Sequence, residues 1–187
     1  FIEGKGKDDT ASELRKFVKE VVAGNPNSIE VLFSNTIDAA RTTDWGWIIH
    51  DNAYQFIDTA NVFEAFKNYS ANQLNKMSLF DPDVRTPKFA VAYIRSLLNG
   101  VELLRDGTIT NPVPELFTLS DGRELAPRAV LKAVKFCPFE EFEKVRPMAM
   151  ELFALLQVEL ARVFYSQKPR TANINWIVQM CREVYGV

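Results

Sequence analysis

Lys88 and Arg95 stand seven residues apart in the stretch TPKFAVAYIRSLLNGVELLRDGTI, residues 86–109. Seven residues is close to two turns of an α-helix, so the two cations fall one above the other on a single line. That placement is open to two readings. The pair can line a groove and hold an anion through charge-assisted contacts, with small Ala92 between them leaving room for a ligand to approach. Alternatively it belongs to a solvated face on which Arg95 pairs with Glu102 or another nearby carboxylate, worth only ~0.5 kcal/mol. Other chemistry is scarce. His50 is the only histidine, and Cys137 and Cys181 are the only cysteines, so a zinc site built on several imidazoles or a Cys-rich knuckle is ruled out. His50 lies among aromatics with no nucleophile or carboxylate partner assignable from the sequence, and reads as structural rather than as a base.

These residues need elements to position them, and the periodicity supplies helices. The 86–107 segment opens with Thr86 as N-cap and Pro87 in the first turn and closes at Gly107. Ala90, Ile94, Leu97, Val101 and Leu104 cluster on one side, and Lys88, Ala92, Arg95, Asn99 and Glu102 on the opposite, wet side. Upstream, residues 10–24 form an amphipathic helix with Leu14, Phe17, Val18 and Val21 inward. Asn25 then caps a short helix with Pro26 at its first position, although the apolar run 29–33 also suits a buried strand. Residues 44–66 read as two short helices broken near Asp51 and Asn52, with Trp45, Trp47, Phe56, Phe63 and Phe66 as core. A separate helix follows over 68–77, then a turn-rich break at FDPDVRTP. Beyond a proline-containing connection with an Asp121-Gly122 turn, helices are expected over 126–136, 139–167 and 171–185, with Pro147 marking a kink or boundary.

Composition bounds the whole. The 187 residues are 47% hydrophobic and 25% charged with a formal net charge of -2, which fits one sizeable globular core and argues against broad attraction to nucleic acid. No run approaches the ~18 apolar residues of a membrane span. A soluble protein in a reducing cytoplasm is expected. The fold class predicted is mainly α, a helical bundle.

Several segments together resemble the predicted nucleotidyltransferases of the DNA polymerase beta superfamily, in its bacterial and phage branch. The likeness rests on Asp9, then Leu14, Arg15, Lys16 and Phe17, then the turn Asn25-Pro26-Asn27 with Glu30. It continues through NYSANQLNKM, where Tyr69, Gln73 and Lys76 are in register although Asn68 replaces the usual glycine. It ends in the 88–107 helix with Lys88, Arg95, Gly100, Glu102, Leu103, Leu104 and Gly107, and with Tyr93 where histidine is common. It covers about residues 1–110. The resemblance implies transfer of a nucleotidyl group from a nucleoside triphosphate, dependent on two magnesium ions, to an acceptor that is RNA, protein or a small molecule. It also implies a remnant strand of an α/β core at the N-terminus. The resulting division is 1–35 as core remnant, 36–110 as the helical domain over the nucleotide, and 111–187 as a helical extension.

By the same resemblance Asp9 is the metal-binding and catalytic carboxylate, with Asp8 and Glu3 as competitors and helix capping as its alternative role. Lys76, Lys88, Arg95, Tyr69 and Gln73 face the nucleotide and its phosphates. The superfamily's Gly-Ser turn followed by two aspartates one residue apart does not occur here. Asp81 and Asp83 have the spacing but follow no such turn. In-line transfer needs two cations held by hard oxygen ligands. The expectation is therefore a C-terminal portion of such a protein, its paired aspartates lying upstream of Phe1. The competing expectation is a non-catalytic helical module for protein contacts in a larger assembly; a nucleic-acid-binding module ranks third.

Overall fold

In the computed structural model, residues 13–34, 42–79 and 86–187 are described. Eight α-helices occur among them: α1 (Leu14–Val22), α2 (Pro26–Leu32), α3 (Asp44–Asp51), α4 (Thr59–Leu79), α5 (Thr86–Asp106), α6 (Pro127–Lys135), α7 (Phe142–Ser166) and α8 (Ile174–Tyr185). One two-residue hairpin, β1 (Phe117–Thr118) antiparallel to β2 (Glu124–Leu125), turns through Asp121 and Gly122. The fold is mainly α, as predicted. Asp9, Asp8, Glu3, the expected N-terminal strand and the 81–85 loop lie outside the described residues.

Residues 25–33 resolve as helix rather than strand, because Asn25 Oδ1 accepts from the Asn27 and Ser28 amides and starts the turn. The separate helices expected on either side of residue 67 are one: α4 runs unbroken for 21 residues. Its start is fixed by Asp58, whose Oδ1 accepts from the Ala60 and Asn61 amides, and no Gly or Pro follows to stop it. Helix α7 likewise continues through Pro147. Trp47 is exposed at 36%, whereas Phe56, Phe63 and Phe66 are core.

The largest revision concerns α5. It packs against α4 and α7, with α2 and α6 also against it. Asn99 and Glu102, expected on the wet face, are therefore buried, and so is Tyr93. Arg95 keeps away from Glu102 and pairs with Glu30 of α2 instead. Close approach explains the burial: a Cβ on Gly100 would meet the Phe66 ring at 3.0 Å and Leu160 Cδ1 at 3.1 Å. Ile94, Leu97, Leu98 and Val101 are fully buried there with Phe66, Leu156 and Leu160.

Candidate functional site

A cleft opens where α2, α4 and α5 meet. Asn25, Pro26 and Asn27 begin α2 at its edge, and Glu30 follows one turn on. The α1–α2 unit is held against α4 by the Asn61 side-chain amide, which donates to the Val22 carbonyl at 2.9 Å. Gly24 makes this approach achievable. Its φ is +82°, and a Cβ there would run into the Asn61 carbonyl. Ser28 Oγ donates to Glu20 at 2.7 Å and locks α2 onto α1. Phe66 and Tyr69 form the α4 wall, and α5 contributes Ala92, Arg95, Ser96 and Asn99. The cleft has a volume of about 130 Å³ and is open to solvent on one side.

Arg95 and Glu30 form an ion pair across this cleft, with side chains 46% and 32% exposed. At that exposure the pair is a weak tie, worth about 0–1 kcal/mol, and either partner can be taken over by a ligand. Ser96 Oγ is different. It is buried and has no hydrogen-bond partner, in a class of groups that are nearly always satisfied.

The predicted site residues divide among three places. Tyr69 and Arg95 share the cleft. Lys88 lines a separate cavity of about 560 Å³ with Val91, Lys135, Cys137, Phe139 and Glu140, so the two cations on one helical line border different hollows. Lys76 is exposed on α4 with its ammonium 6.0 Å from the Phe89 ring, and Gln73 is buried. His50 Nδ1 lies 3.3 Å from Asp51 Oδ1, its neighbour in the chain. The sequence reading missed Ser96 and Asn99 as lining residues. Their signal was present: two polar residues inside the otherwise apolar run IRSLLNG.

No group of three or more His, Cys, Asp or Glu side chains suited to a metal occurs among the described residues. Among the described residues Glu30 is the one carboxylate lining the cleft, and it faces a guanidinium. The described residues therefore do not fit a two-magnesium centre. No described helix is long and apolar enough to cross a membrane.

Asn27, Glu30, Tyr69 and Arg95, from segments far apart in the chain, thus line one cleft in a mainly α body. Residues 5–170 match the sequence model of RlaP, the RNA repair pathway DNA polymerase beta family, and the chain belongs to that family. The match continues through the hairpin, α6 and α7, past residue 110 where the resemblance read from the sequence stopped. Comparison with curated proteins gives no match, and neither does comparison with solved structures.

Proposed function

We propose that the protein takes part in nucleotidyl transfer from a nucleoside triphosphate and that the α2–α4–α5 face of this chain holds the nucleotide. The observation that carries the reading is the convergence of Asn27, Glu30, Tyr69 and Arg95 at one cleft, in a chain of a polymerase beta family. Arg95 contributes a planar donor array at one end of the exposed line on α5, and Lys88 a compact charge at the other. Lys88 and Lys135 both line the second hollow, with Glu140 as the carboxylate there, so that hollow carries a net positive charge suited to the phosphate end of the ligand. Tyr69 forms a wall of the cleft, while Lys76 and Gln73, further along α4, do not line it.

Magnesium enters this reading through Asp9 and through carboxylates beyond the described residues. The superfamily's Gly-Ser turn with paired aspartates does not occur in the 187 residues, so the role proposed for this chain is to hold the nucleotide. The acceptor is RNA in this reading, as the family description suggests, and the setting is the cytoplasm.

Calorimetric titration of the chain with ATP, CTP, GTP and UTP in the presence of magnesium tests the proposal. Arg95→Ala and Lys88→Ala are each expected to weaken binding about tenfold, the scale of one charge-assisted contact. Unchanged affinity in both variants removes the proposed site.

An apolar groove favours a second reading, the protein-contact module. Val18 of α1 and Ile177, Val178, Cys181 and Tyr185 of α8 line a hollow of about 270 Å³. Helix α8 lies outside the family match. A monomeric mass at high concentration, unchanged by Val178→Glu, would count against it.

A further inference from the structure

The hollow between α1 and α8 shares no lining residue with the nucleotide cleft, and one of its two walls lies beyond residue 170, where the family match ends. Its middle is apolar. Val18 and Ile177 are buried in it, and Val178 and Tyr185 are exposed beside them. Arg15 joins the two helices by lying over the Tyr185 ring, 4.6 Å from its centroid. A concave apolar channel between two helices is the shape that takes a third, whose ridge of side chains fills the groove. Helix α8 has 12 residues, or about 18 Å of length at ~1.5 Å each, enough to seat about three turns of a partner helix.

The charges around the hollow say what kind of helix fits. Arg15, Lys19 and Arg182 line it, and no carboxylate among the described residues does. In a chain whose net charge is -2 this is a local excess of three positive charges. The acids of the two helices are engaged elsewhere. Glu20 accepts from the Ser28 hydroxyl, Glu183 accepts from the Gln179 amide at 2.7 Å, and Glu13, just before α1, accepts from the Tyr185 hydroxyl at 3.5 Å. An apolar centre inside a charged rim is the anatomy of a protein interface, and the rim charges select the partner. A two-fold dimer through this face would set the same three cations against one another, so a second copy is the wrong occupant. A bilayer surface takes up protruding apolar side chains rather than filling a hollow.

We propose that the α1–α8 groove docks an acidic amphipathic helix of a partner protein, its apolar stripe seated on Val18, Ile177 and Val178 and its flanking carboxylates meeting Arg15, Lys19 and Arg182. The inference rests on the protein-contact reading above, to which it adds the partner's shape and charge, and it is independent of the nucleotide cleft.

The test is selection of a phage-displayed library of random peptides, each about 16 residues and so about four turns of helix, against the full chain. Sedimentation velocity and co-sedimentation with phosphatidylglycerol vesicles are run on the same protein. Enriched peptides are expected to carry net negative charge and apolar residues at helical spacing. The tightest of them, made synthetically, should bind at least tenfold more weakly to Val178→Glu and to the double variant Lys19→Glu, Arg182→Glu. It should bind equally well to Lys132→Glu, a charge reversal on α6 away from the groove. Circular dichroism verifies that each variant is folded. Neutral or basic enriched peptides, or affinity unchanged in the double variant, overturn the acidic occupant and leave the protein-contact reading standing. Affinity unchanged in Val178→Glu places the peptide elsewhere and overturns the proposal. A mass that doubles with concentration and reverts in Val178→Glu assigns the groove to a second copy, and vesicle binding lost in Val178→Glu assigns it to a membrane; either overturns the proposal. A monomer with no enriched peptide and no vesicle binding overturns the protein-contact reading as well.

Discussion

Glu102 and Glu159 are both almost fully buried, and each is retained for a backbone group that needs an acceptor. Glu102 Oε2 accepts from the Thr110 amide at 2.9 Å and so pins the chain as it leaves α5. Burial raises its pKa above the ordinary carboxylate value, partly offset by the Thr110 hydrogen bonds. A raised folded-state pKa means that the native state holds the proton more tightly than the unfolded chain. Its stabilising contribution is therefore complete below the unfolded value and is lost as pH rises through the folded one. Glu102→Gln retains an acceptor for Thr110 without the charge. Its unfolding free energy at pH 7 is expected to match or exceed wild type by up to ~1 kcal/mol, with a smaller loss of stability between pH 4 and 7; urea titrations at the two pH values measure both. Glu159 holds the hairpin instead. Its Oε1 accepts from the Ser120 amide at 2.7 Å and from the Ser120 hydroxyl, and its Oε2 from Arg162 at 3.1 Å. Glu159→Ala leaves these donors without their acceptor and is expected to cost about 3–5 kcal/mol. Asp121, on the hairpin turn, is held below the usual carboxylate range by hydrogen bonds from Arg123, but it is exposed and its neutralisation should change little.

At the scale of elements, two glycines set how closely the helices that frame the cleft approach one another. Gly100 lets α5 lie against Phe66 and Leu160. Gly100→Ala forces contacts of 3.0–3.1 Å onto both and is expected to cost about 1–3 kcal/mol, by the usual penalty for overpacking. Gly24→Ala combines a left-handed φ with collision against backbone rather than a movable side chain, so more than ~1 kcal/mol is expected. The two should also differ in function. Gly24→Ala displaces α1 and α2, hence Asn27 and Glu30, and should weaken nucleotide binding in proportion. Gly100→Ala acts at the far end of the cleft, beyond Asn99, and should lower the melting temperature with a smaller effect on binding. A set of thermal melts beside nucleotide titrations separates them.

Taken whole, the described residues form one hydrophobic cluster running from Val18 of α1 to Met180 of α8. Helix α5 is its axis, with α4 on one side and α7 on another, so residues beyond 110 complete the same core that positions Arg95 and Ser96. Even the last helix is tied in: Trp176 meets the Phe56 ring edge-on at 5.6 Å, and the Asn173 amide donates to the Gln55 carbonyl at 2.8 Å. A shared core of this kind unfolds cooperatively. Far-ultraviolet circular dichroism and the fluorescence of Trp45, Trp47 and Trp176 should therefore report a single coincident transition. Two separated midpoints would mean that α8 and its surroundings fold apart from the α4–α5–α7 centre.

The sequence alone determined the class of fold, the span of α5, the capped start of α2 and the short segments that resemble the polymerase beta superfamily, because periodicity, caps and glycine stops are local properties. It also gave Arg95 and Lys88 their common line, since helical geometry is fixed once the helix is known. It did not decide which side of α5 stays wet. Asn99 and Glu102 look solvated by their types, and only the arrival of α2, α4 and α7 around the helix buries them. Nor did it decide Arg95's partner: Glu30 is 65 positions away in the chain, and long-range pairing depends on how α1 and α2 fold back at Gly24. The cleft itself, with its unpartnered Ser96 hydroxyl, is a property of three helices meeting at set distances, and distances between elements are decided by packing.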